Sequence, residues 1–167
     1  MSRRVRASIA SHLESRDVAR VLYGTILGLA LVLALESSSH TPAENATFIV
    51  VAAIAIGLAE LFSEVISLEA RSHRRVNRHD AWPLTRDALA VVIGAGFPAI
   101  YFVLAGAGVM TLHTAFVLSK WSGMALVIAY AFAAARMSGA GVAHSIRHAA
   151  TAGLVGLALV ELKALLH

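Results

Sequence analysis

The chain has 167 residues; 58% are hydrophobic, 14% are charged, the formal charge is +4 and the mean hydropathy is +0.74. A soluble domain of this size would lack the polar surface to cover so much apolar material, so the composition points to a membrane protein. The absence of cysteine excludes disulfides, zinc–thiolate sites and iron–sulfur clusters.

The basic residues gather in two blocks, Arg3 to Arg20 and Arg71 to Arg86, which flank apolar stretches and carry no base-reading motif. Anionic lipid headgroups are therefore the expected partner, and nucleic acid is not. Residues 1–17 read either as a basic amphipathic helix on the inner membrane surface, with Ile9 and Leu13 toward lipid, or as a frayed basic tail. The same start could be mistaken for a signal peptide, but no small-x-small site precedes a soluble segment, and it is expected to be retained.

A membrane-crossing helix needs roughly 20 mostly apolar residues. Five stretches within residues 18–167 meet this, at about 18–35, 46–68, 87–109, 113–135 and 146–166. Arginines occur before the first span, between the second and third, and between the fourth and fifth; the loops "SSSHTPAENA" and "MTLHT" have neither Lys nor Arg. This alternation places the N-terminus inside and the C-terminus outside, which requires an odd number of spans. The expected fold is an all-α integral membrane protein with five transmembrane helices. In the first span Gly24 and Gly28 form a GxxxG, suited to close helix packing or dimerisation. In the third, Pro98 among several glycines predicts a kink near a close packing site.

Polar groups inside these spans are the candidate functional residues. Glu60 would lie roughly 21 Å from the outer start of the second span, past the midplane. Glu64 shares its face, and Ser63 and Ser67 are expected beside them. Carboxylates at that depth must be protonated, paired or wetted. The stripe reads either as a cation or proton path opening inward, or as glutamates reaching the inner interface to pair with Arg71, Arg74 or Arg75. Glu69 points the opposite way, at headgroup depth. Lys120 and Glu161, both buried in the outer half, are expected to form an ion pair, with Glu36 as an alternative partner for the lysine. His144 and His148, spaced i, i+4, are a possible metal pair or simply solvated residues in a basic loop. No nucleophile elbow, phosphate loop, HExxH or kinase pattern is present, so no enzymatic activity is expected.

Several stretches together resemble the vacuolar iron transporter family, in particular its short nodulin-like members. "RDVARVLYGTILGLALVLAL" is similar to that family's first span. "GLAELFSEVISLEARSHRR" resembles its Gly-Glu-Tyr-x-Ser pattern, with Glu60 and Ser63 at the Glu and Ser positions. "VIGAGFPAIYFVL", "AAARMSG" and "SIRHAATAGLVGLALVELKALL" resemble its third span, fourth exit and fifth span. The resemblance implies five spans, a homodimer and proton-coupled transport of Fe²⁺ or Mn²⁺ as substrate across a plasma membrane, with Glu60, Ser63, Glu64 and Ser67 on the path. Where that family has an Asp in the first span and a Met before the Glu, this chain has Leu27 and Ile56, and its cytosolic metal-binding helices are absent. Two other readings stay open: a non-transporting scaffold or partner subunit that keeps the fold, and a proton or small-cation pathway.

Overall fold

A computed structural model describes residues 3–37 and 40–165, with side chains chiefly between 18 and 154, except at 38–39 and 78–79. The described chain contains helices and no strand. In order these are α1 (Arg3–Leu35), α2 (Pro42–Ser72), α3 (Arg78–Gly96), α4 (Ala99–Gly106), α5 (Leu112–Met137) and α6 (Val142–Leu165). Three are long and apolar enough to cross a membrane: the Val18–Leu35 part of α1, α2 and α5. The bent pair α3–α4 makes a fourth if it is taken as one span. The expected fifth span falls in α6, which is not among these helices.

The helical ends differ from the sequence reading at three places. α1 runs without a break from Arg3, so residues 3–17 continue the first helix rather than forming a separate segment. The second helix starts at Pro42, not near Ala46. Thr41 caps it by accepting a hydrogen bond from the Glu44 N–H, while the Glu44 carboxylate accepts from the Thr41 N–H, and Pro42 occupies the first turn, where its missing donor costs nothing. The third expected span is two helices, starting at Arg78 and bent by 47° between Gly96 and Ala99. Pro98 has no N–H to continue the ladder. The chain restarts through short-range bonds, Ile100 N–H to the Phe97 carbonyl and Tyr101 N–H to the Pro98 carbonyl. The predicted kink at Pro98 is thus present.

Helix packing is set by glycines. A β-carbon at Gly24 would stand 2.3 Å from the Val91 carbonyl oxygen, one at Gly28 2.6 Å from that of Ala95, and one at Gly94 2.5 Å from that of Val21. The GxxxG of α1 is therefore filled from within the chain, by α3. α2 runs antiparallel along the other side of α3, with Gly57 against Val92. α5 packs antiparallel to α1, with Gly123 facing Leu29, and α6 packs on α5 through Gly153 against Ile128. An apolar core at one end of the bundle joins Val32, Ile49, Phe102 and Phe116, the two rings meeting edge to face at 4.8 Å.

The outer face of α2 is apolar and uncovered: Val51, Leu58 and Phe62 are 59%, 61% and 67% exposed. A stripe of this length on a water-facing surface would be an unusually large apolar patch; facing lipid tails it is in its proper solvent. Membrane embedding follows from the helices and this surface together.

Candidate functional site

The strongest concentration of buried charge lies where α1, α2 and α3 meet, at the end of the bundle that carries the α2–α3 loop. Arg20 supplies the cation. Its Nη1 donates to Glu60 Oε1 at 2.9 Å, and its Nη2 donates to Glu64 Oε1 at 2.9 Å and meets Asp87 Oδ2 at 3.0 Å. The arginine side chain is 11% exposed, Asp87 15%, Glu64 23% and Glu60 26%.

The backbone explains why these four side chains meet. On α1, Arg20, Gly24 and Gly28 are spaced by four; on α3, so are Asp87, Val91 and Ala95. The two helices cross in parallel with those ladders in register, so the approach permitted by Gly24 against Val91 sets Arg20 beside Asp87 one turn below. Gly57 allows α2 in against Val92, and Glu60 and Glu64, the next residues on that face, arrive at the same guanidinium. A planar fork with five donors can serve three carboxylates at once, which an ammonium does less well.

Glu60 and Glu64, expected on one face of the second helix, both reach Arg20. Their cation comes from α1, not from the arginines at the end of α2 and beyond it: Arg71 Nε donates to the Ser67 carbonyl and Arg74 binds Asp80 at 2.7 Å. That contact with Asp80 holds the Arg74 guanidinium above its ordinary pKa. Ser63 is exposed, turned about 60° from Glu60 around the helix, and Ser67 is half-buried. Glu69 accepts a hydrogen bond from the Val76 N–H and so ties down the α2–α3 loop. Arg20 and Asp87 were missed as site residues. The available signal was depth: both stand at the same-side ends of their expected spans, level with the C-terminal part of the second.

At the opposite end Lys120 Nζ donates to Glu36 Oε1 at 2.5 Å, joining α5 to the end of α1. This is the alternative pairing; the side chain of Glu161 lies outside the described residues. The rings of His144 and His148 stand 5.1 Å apart, tilted by 52° and exposed. Among the described residues no three His, Asp or Glu side chains are grouped so as to hold a metal ion. A cleft of about 400 Å³ opens near these histidines between α1, α5 and α6, with His148 on its edge. Comparison with known proteins finds no matching family model, curated protein or solved structure. Any reading of function therefore rests on the geometry of these sites.

Proposed function

We propose that the chain is a five-span membrane protein, N-terminus on the cytoplasmic side of a plasma membrane, that acts as a non-transporting scaffold or partner subunit. The observation that carries this reading is the guanidinium of Arg20 inside the acidic stripe. The carboxylates that would strip and pass a cation are each already bonded to a cation that is covalently part of the chain. A charge so held ties α1, α2 and α3 together, and in an apolar surrounding it stays paired. The resemblance to vacuolar iron transporters supports a shared five-helix arrangement, while Leu27 and Ile56 stand where that family's metal-handling Asp and Met would be.

A second reading, proton-coupled transport of Fe²⁺ or Mn²⁺, is favoured by one observation. Three carboxylates meet a single guanidinium, and the two glutamates are about a quarter exposed. In that case Arg20 would have to give way to the incoming ion. Reconstitution into proteoliposomes separates the two. The scaffold reading expects Fe²⁺, Mn²⁺ and proton fluxes equal to those of protein-free vesicles. Saturable metal uptake that is abolished in Glu60→Gln would overturn it and establish the second.

A further inference from the structure

We infer that the cleft between α1, α5 and α6 is a binding site for one anionic glycerophospholipid, its phosphate held at the α5–α6 turn and an acyl chain laid into the cleft. The inference needs membrane embedding but neither reading of the Arg20 site.

The cleft, about 400 Å³, has a two-part lining. Its wall is made of Leu22 from α1, Ala131 and Ala134 from α5 and Ala152 from α6. Small side chains on three helices leave a slot of methyl groups, which is the surface an alkyl chain fits. Its rim is polar, with Ser138, His148 and Thr151. Both hydroxyls give their one hydrogen to backbone carbonyls, of Ala135 and His148, so the donors to a phosphate must come from the basic side chains beside the rim.

Charge decides the class of lipid. The chain carries no Asp or Glu from residue 88 to residue 160, yet this turn and the start of α6 carry Arg136, His144, Arg147 and His148. All four are exposed. Arg147 lies four residues before Thr151, hence on nearly the same face of α6 as the rim. Arg136 folds over the turn, its Nη1 donating to the Ala140 carbonyl. Arginines next to the rim of an apolar slot complement a headgroup of net negative charge; a zwitterionic headgroup brings a second cation into the same space.

The test uses the full purified chain and native mass spectrometry after incubation with equal amounts of phosphatidylglycerol and phosphatidylcholine. One phosphatidylglycerol should be retained in preference. Arg136→Ala and Arg147→Ala should each weaken retention about fivefold, and Ala152→Phe, which fills the slot, should abolish it. Arg75→Ala, an exposed charge on the α2–α3 loop, should leave it unchanged. Glycerol phosphate, a headgroup without chains, should not compete. Equal retention of both lipids, equal loss in Arg75→Ala, or full competition by glycerol phosphate would each overturn the proposal. The two surface arginine variants keep the question decidable if Ala152→Phe does not fold.

Discussion

Arg20 bonds side chains from two other helices, and no other residue type would serve as well. A lysine would present a compact charge with three rotatable donors; the guanidinium presents a flat fork to Glu60, Glu64 and Asp87 together. Removing it leaves three carboxylates facing one another in a part-buried site. Deleting one partner of a fully buried pair costs about 3–5 kcal/mol. The quarter exposure of the glutamates lowers this, and Arg20→Ala is expected to lose about 2 kcal/mol of stability at neutral pH. Arg20→Lys should recover only part of that loss, because one ammonium cannot span the same acceptors. Thermal unfolding in detergent measures both; a wild-type midpoint in Arg20→Ala would mean that the cluster does not hold the helices. At the other end of the scale of satisfaction, Asn45 and Ser119 are fully buried, and their side-chain polar atoms bond to no other group among the described residues.

Between helices, glycine is used in two different ways, and substitution should tell them apart. At Gly24 an added methyl would meet a backbone oxygen of α3 at 2.3 Å, and backbone cannot step aside cheaply. Gly24→Ala is therefore expected to separate α1 from α3 and to destabilise by about 2–3 kcal/mol. At Gly123 the nearest atoms are side-chain carbons of Leu29 and Phe97 at 3.6 Å, an ordinary contact. Gly123→Ala is expected to be neutral or to stabilise by about 0.5–1 kcal/mol, since alanine is the better helix former. A common loss in both variants, read from thermal midpoints, would contradict the assigned crossing. Helix ends were less legible than helix cores. The Thr41–Glu44 capping box stands in the sequence as T-x-x-E, but it sits inside a stretch whose polarity reads as loop, and a count of apolar residues passes over it. The bend at Pro98 was legible because proline removes a specific donor.

For the whole molecule, the pattern of arginines predicts which side each loop occupies, and the helix directions are those of successive crossings, whichever side that is. α1 and α3 run parallel and α2 antiparallel to them, as alternate crossings demand. A chain without cysteine allows a clean test of orientation. Single variants Ser37→Cys and Ala107→Cys should react with a membrane-impermeant maleimide in intact right-side-out cells. Arg75→Cys and Gly141→Cys should react only after permeabilisation. The reverse pattern would invert the bundle. All-helical class, apolar spans and the pairing of Glu60 with Glu64 were readable from periodicity, which reports what one helix presents on each face. The identity of their cation was not, because periodicity says nothing about which helix lies opposite. Arg20 and Asp87 become neighbours only through the glycine-set crossing of α1 on α3.

That crossing also bears on how the protein is made. Arg20 is synthesised with the first helix, its partners Glu60 and Glu64 with the second, and Asp87 with the third. An arginine near the end of an apolar helix can reach the aqueous boundary, while two carboxylates deeper in α2 must be protonated, wetted or paired, and the guanidinium supplies the pairing. Two of the three contacts of Arg20 are complete within α1 and α2 alone. The third contact, to Asp87, needs α3 in place with Val91 and Ala95 against the two glycines, so the full cluster cannot close on fewer than three helices.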